Sequence, residues 1–341
     1  MKASYIGILT PGSTSRMRAE VLRDLTPGWA WTWVDTDIPM RQQSRLWRTA
    51  AFRFNSGRAV REINALVQSE IADRTLDMVW VDKAVFLRQS TVRVLRRAAG
   101  RLVHFTPDTA FHANRSRHFE KTLPMFDLVV TTKSFEVDEY RTRIPDSRIV
   151  LVTQGFDPKL HYPRFRPAEK IREASFAGLA EPDREQVVAA LLDHGVPVRL
   201  AGEGWSRFLQ RWGTHPKLAF AGAAVFGDDY ARLLSGSWVG LGLLSKRFPE
   251  LHTTRTFEIP ACESILATES TKETKSFFAQ DEALFFHDGA ALARRLSDLF
   301  SKSSEADLAR MAIAGRDRVL NDCRDYPSIL KEVLAHAAIS A

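Results

Sequence analysis

Short apolar runs alternate with longer helical patterns along almost the whole chain, and this alternation confines it to α/β architectures. In the first half, strands are expected at residues 5–9, 29–34, 78–81, 102–105, 128–131 and 149–152, with helices at 15–25, 58–71, 90–99 and 135–143. A strand followed by a helix and another strand folds most simply as a βαβ unit on a parallel sheet. A polar stretch from Asp157 through Pro163, Pro167 and Glu173 breaks the rhythm. The alternation then restarts at 175–178, 198–201, 218–220, 239–243, 264–267 and 283–286, and ends in a helical tail at 290–339. Two domains are expected: residues 1–160 joined by a last helix at 325–341 that could cross back, and residues 166–321. At roughly 100 to 200 residues per domain, a length of 341 agrees with two.

Composition removes several classes. No uncharged apolar run approaches the roughly 18 residues of a membrane span, and residues 1–9 lack the pattern of a signal peptide. Two cysteines, Cys262 and Cys323, cannot form a disulfide framework or a cysteine-rich metal site, which fits a reducing cytoplasm. Residues 1–165 carry 26 Lys and Arg against 17 Asp and Glu, and the remainder 22 against 24. The first half is therefore the basic one. No zinc-finger, helix-turn-helix or RNA-binding pattern accompanies that charge, so nucleic acid is not an expected partner. The run Arg41, Arg45, Arg48, Arg53, Arg58 and Arg61 is interleaved with Trp47, Phe52 and Phe54. It could touch an anionic membrane or an anionic, lipid-linked acceptor, or be a solvated helix face whose aromatics are core.

The most informative stretch runs from Ser245 to Cys262. It follows an expected strand, carries threonines able to start a helix, and places Glu250 and Glu258 eight positions apart. A helix start offers unpaired N–H groups to a diphosphate, and a nearby Glu can accept from two ribose hydroxyls. A nucleotide-sugar needs both.

Glu250-x7-Glu258 and the two Rossmann-like halves resemble the retaining glycosyltransferases of the GT-B fold, in which two such domains face each other across a cleft. The run HTTRTFEIPAC more closely resembles the bacterial spore-maturation-type (glycosyltransferase family 1, family 4-like) proteins, as do SFAGLAEPDREQVV, RLAGEGW, DDYARLLSGSWVGLGLLS, FTPDTAFH and VTQGFDPKLHYP. The resemblance covers residues 100–320 well, and residues 1–100 only in pattern. It implies a hexosyltransferase-like enzyme in cell-surface polysaccharide synthesis. The expected partners are a UDP- or GDP-linked sugar donor and a glycan, lipid-linked or small-molecule acceptor. The expected location is cytoplasmic, or peripheral at the inner membrane face.

The resemblance puts Glu258 on the donor ribose, Glu250 on the hydroxyls of the transferred sugar, and His252, Thr253 and Thr254 at the diphosphate. Alternatively, Glu258 complements the helix dipole and Glu250 is a solvated loop acid. Arg255 could neutralise the diphosphate or pair with Glu258. Glu263 stands where the family usually has a small residue, and would be strained if the helix ended there in a left-handed conformation. Gly178 and Arg184 read as a strand-end turn and a phosphate clamp, with a surface Arg paired to Asp183 or Glu185 as the alternative. Gly202 and Trp205 could admit and stack a nucleobase, although Trp is more often core. On the acceptor or sugar side, Gly12 and Ser13 follow the first strand, where Ser13 could equally be a helix N-cap. Asp108 and His112 could act on the acceptor hydroxyl or the sugar. No metal cluster, cofactor motif, nucleophile elbow or Walker loop is present in the sequence, so metal-independent transfer is expected. A nucleotide-sugar epimerase or a non-catalytic glycan- or nucleotide-binding protein of envelope or spore assembly are the rivals, because fold does not decide function.

Overall fold

The computed structural model describes residues 1–112, 115–223 and 225–337. It divides into two compact units, Met1–Thr153 with the chain from Pro327 onward, and Gln154–Tyr326. The part of the expected tail beyond residue 337 lies outside the described residues.

The first unit is built on a six-stranded parallel sheet of β1 (Lys2–Gly7), β2 (Ala30–Asp35), β3 (Leu76–Asp82), β4 (Ala99–Thr106), β5 (Leu128–Thr131) and β6 (Ile149–Leu151), in the order β2-β1-β3-β4-β5-β6. Buried on both faces, the central strands read as continuous apolar runs, as in Met78-Val79-Trp80-Val81. Two helices, Asp37–Arg41 and Arg45–Phe54, precede the expected Arg58–Ile71. The segment expected as a helix at 135–143 is a 3-10 turn, Ser134–Glu136, running into the short helix Val137–Arg141.

The second unit repeats the plan with β7 (Ile171–Ala177), β8 (Val198–Ala201), β9 (Leu218–Gly222), β10 (Ser237–Gly242), β11 (Ile265–Glu269) and β12 (Ala283–Phe286), in the parallel order β12-β11-β10-β7-β8-β9. β7 begins earlier than its apolar residues suggest because its polar start is paired. Glu173 accepts from Arg199 Nε on β8 at 2.6 Å and from Ser237 Oγ on β10 at 2.9 Å. Two helices, Gly289–Lys302 and Glu305–Asn321, follow β12 in this unit, and the helix Tyr326–His336 belongs from Pro327 onward to the first unit.

The helix Arg255–Ala261 ends where the sequence raised the question of strain. Glu263 has φ of 57°, the left-handed region that costs an L-residue roughly 1 kcal/mol or more. Its carbonyl is held by the Nζ of the buried Lys170. Burial pulls the Lys170 ammonium down to about 8, against the opposing charge of Glu263. Glu263→Gly is expected to raise stability by roughly 0.5 to 1 kcal/mol, visible as a higher thermal midpoint. An unchanged or lower midpoint would show that the Glu263 side chain compensates for its backbone.

Candidate functional site

In the second unit the chain runs outward from β7 to β8 and β9, then returns to place β10 on the other side of β7. The carboxyl ends of β7 and β10 therefore form a topological switch point, where helices leave on opposite faces and a crevice opens. Arg255 joins these two ends. Its Nη1 donates to the carbonyl of Ala177 at 3.3 Å and its Nη2 approaches the carbonyl of Leu243 at 3.5 Å.

Arg184, in the first turn of the helix Pro182–Asp193, reaches the same place. Its Nη1 donates to the Leu179 carbonyl at 3.0 Å and pairs with Glu181 at 3.2 Å. Both guanidinium groups lie near the ring of Phe176, 5.7 Å from its centroid for Arg184 and 5.4 Å for Arg255. The Nε of each is buried without a hydrogen-bond partner among the described residues. Burial first, and then the charge of Arg255, lower the Arg184 pKa to about 10, against the opposing pull of Glu181 and Glu250. Two like charges, one buried and one half-buried, each with an unused buried donor, form an arrangement that an anion would complete.

Small residues make the approach possible. A Cβ on Gly178 would lie 2.8 Å from Phe176 Cζ, and one on Gly202, at φ 126°, would lie 2.0 Å from the Gly178 carbonyl oxygen. Glu250 accepts from the backbone N–H of Ser245 at 3.0 Å, and Ser245 Oγ donates to Glu181 at 2.8 Å. A cavity of about 410 Å³ adjoins, lined by Asp183, Arg184, Leu243, Lys246, Glu269 and Asp288 among others.

One turn beyond Arg255 on the helix Arg255–Ala261, Glu258 is buried. Its Oε2 accepts from Tyr230 OH at 2.7 Å, and its Oε1 lies 3.8 Å from His161 Nε2. His161 Nδ1 accepts from the Asp157 N–H at 3.1 Å, so the proton of the neutral ring is on Nε2, where it has no hydrogen-bond partner among the described residues. Burial lowers the His161 pKa despite the pull of Glu258. Burial and the Glu258 carboxylate push the Tyr230 phenol well above its ordinary range. Tyr230 and His161 were missed as site residues. Both lie in the quoted stretches DDYARLL and DPKLHYP, but only the fold brings them to Glu258.

Two expectations are corrected. The His252 ring is not open to a diphosphate: its Nε2 accepts from the Gln154 N–H at 3.1 Å and its Nδ1 bonds Glu273 at 2.6 Å, so both ring nitrogens are occupied. Trp205 is not a stacking platform. It is fully buried, edge-on to Phe176 and Phe208, and its Nε1 donates to the Gly178 carbonyl at 2.9 Å. Thr253 is buried and its Oγ1 has no partner among the described residues, while Thr254 precedes the helix without a side-chain capping bond.

The remaining candidates belong to the first unit. Ser13 accepts from the Arg16 N–H at 3.2 Å and donates to the Ile8 carbonyl at 2.9 Å, an N-cap geometry, and Gly12 beside it has φ of 81°. Asp108 pairs with Lys83, a residue with left-handed φ of 61° at the end of β3. Burial pushes the Asp108 carboxyl up, but Lys83, Lys133 and Arg18 together hold it below its ordinary value. His112 is exposed beside Phe135. Among the described residues, no group of three or more His, Cys, Asp or Glu could hold a metal ion.

Residues 182–333 match a family model described as Glycosyl transferase-like. Comparison of the sequence with curated proteins finds no match. Solved structures match along nearly the entire chain. Anabaena Alr3699/HepE in complex with UDP-glucose superposes with a TM-score of 0.63 and 12% identity, over 99% of this chain and 99% of that one. A glycosyltransferase from Rickettsia africae ESF-5 gives 0.66 and 13% identity, over 98% and 97%. An alpha-glucosyltransferase in complex with UDP and a 13-mer DNA containing a HMU base gives 0.65 and 14% identity, over 99% of both chains. At these identities the likeness is one of fold. The chain has the GT-B fold and contains a glycosyl transferase-like domain.

Proposed function

We propose that this chain is a retaining glycosyltransferase that moves a hexose from a UDP-linked donor to a hydroxyl acceptor without a metal ion. The observation that carries the reading is the pair of incompletely bonded guanidinium groups at the β7/β10 switch point, that of the buried Arg184 and that of the half-buried Arg255, each with a buried Nε lacking a partner among the described residues. The matched family domain includes both residues. The UDP and UDP-glucose bound in the structural neighbours favour uridine as the base.

The chemistry follows from the charges. As the bond between sugar and diphosphate breaks, negative charge grows on the leaving oxygens. Arg184 and Arg255 stabilise it with planar donors already in place, so little reorganisation is needed in the transition state. The leaving diphosphate takes the acceptor proton on the face from which it departs, which gives retention without a side-chain base. Glu250, beside the cluster, orients hydroxyls of the sugar. Glu258 accepts from the ribose through Oε1, while Tyr230 fixes its other oxygen. The product is a cell-surface glycan or glycoconjugate.

Two measurements test this reading. Release of UDP from UDP-glucose in EDTA should depend on acceptor, whereas donor binding without turnover would favour a binding protein. Glu258→Gln keeps an oxygen for Tyr230 but loses the charge-assisted bond, so UDP affinity by calorimetry should fall by roughly tenfold or more. Equal affinity for the wild type and a folded Glu258→Gln would remove Glu258 from the donor site.

A further inference from the structure

The helix Arg45–Phe54 exposes what a water-soluble helix ordinarily covers. Leu46 is 82% exposed, Trp47 53%, Phe52 65% and Phe54 67%. Leu46, Trp47 and Phe54 fall within an arc of about 100° on one side of the helix. Within this helix, Ala51 alone is buried. The C-terminal end is pinned to the body of the first unit: His118 Nε2 bonds the Asn55 carbonyl at 2.8 Å, and Asn55 Nδ2 donates to the Arg115 carbonyl at 3.2 Å. The apolar arc is therefore presented by an anchored element.

The surrounding charge has one sign. Residues 38–61 contain six arginines and no Asp, Glu or Lys. Arg58 pairs with Glu62 and Arg41 with Asp35 and Asp37. Arg45, Arg48, Arg53 and Arg61 are exposed and have no ion pair among the described residues. Exposed Leu, Trp and Phe beside uncompensated arginines match the boundary between acyl chains and anionic headgroups. A soluble polyanion would use the arginines and leave the apolar arc in water. No helix among the described residues is long and apolar enough to cross a membrane.

We propose that the helix Arg45–Phe54 docks the first unit on an anionic lipid surface, with Leu46, Trp47 and Phe54 entering the headgroup boundary and Arg45, Arg48 and Arg53 meeting the headgroups. The proposal does not depend on the transferase reading, because lipid binding can be measured without turnover. The full chain should sediment with vesicles of equal parts phosphatidylglycerol and phosphatidylcholine, and weakly or not at all with phosphatidylcholine alone.

Arg45→Gln, Arg48→Gln and Arg53→Gln together should weaken binding by about fivefold per arginine. Leu46→Ser, Trp47→Ser and Phe54→Ser together should weaken it by roughly tenfold or more. Both variants alter exposed side chains, so an unchanged circular dichroism spectrum and melting temperature should confirm their fold. Failure of the wild type to bind the mixed vesicles would overturn the proposal. So would an apolar triple variant that binds them as well as the wild type, since the patch would then be a general anion site.

Discussion

Asp82→Asn is expected to destabilise the first unit by roughly 3 to 5 kcal/mol. Asp82 is buried at the end of β3 and accepts from Arg18 Nε at 2.7 Å, Arg18 Nη2 at 3.0 Å and Tyr5 OH at 2.8 Å. Arg18 is fully buried, with its guanidinium 4.9 Å from the centroid of Phe105. Asn preserves the shape of Asp but removes the charge, leaving a guanidinium in a low-dielectric interior without its counter-ion. The pair itself need not be strongly stabilising, because its desolvation offsets much of its attraction. Arg18→Met combined with Asp82→Leu should therefore cost less than Asp82→Asn alone. Denaturant unfolding of the three proteins would decide, and a cost below about 1 kcal/mol for Asp82→Asn would mean that water or a neighbour compensates Arg18.

Arg184→Gln should lower turnover by roughly a hundredfold or more while changing stability by less than about 1 kcal/mol. In the resting protein, this side chain is buried near Arg255, and its desolvation first, then that repulsion, depress its pKa to about 10. Removing its charge relieves Arg255 but leaves Glu181 without its ion pair, and the two effects oppose each other. On the proposed mechanism, Arg255 alone would then face the charge developing on the diphosphate, and the neutral amide would not replace the lost cation. A purely structural arginine would show the reverse pattern, with lower stability and intact turnover per folded molecule. Near-normal turnover in a folded Arg184→Gln would overturn the proposed role of this residue.

Much of the fold could be read from the order of residues. Strands at 128–131, 198–201 and 283–286 and the helix at 58–71 coincide with those expected, because short, largely apolar runs and a regular apolar helical period are local signals. The errors lie where local signals fail. Helix Arg45–Phe54 buries little, so its apolar residues do not mark a core-facing stripe. The start of β7 is polar, and only its partners on β8 and β10 make it a strand.

The candidate site divides along the same line. Residue types, spacing and the family resemblance nominated Arg184, Glu250, Arg255 and Glu258, and strain at Glu263 was expected only if the helix ended there in a left-handed conformation. Nothing local could show that Arg255 would join the ends of β7 and β10, or that Tyr230 and His161 would converge on Glu258. Nor could spacing show that His252 would be held by Gln154 and Glu273, or that Trp205 would close a core. The sequence by itself determined the alternation that makes two parallel sheets, because hydrophobic period and turn chemistry act over a few residues. Which polar groups are left with unused donors was decided only by the tertiary structure, because burial and hydrogen-bond partnership depend on residues distant in the chain.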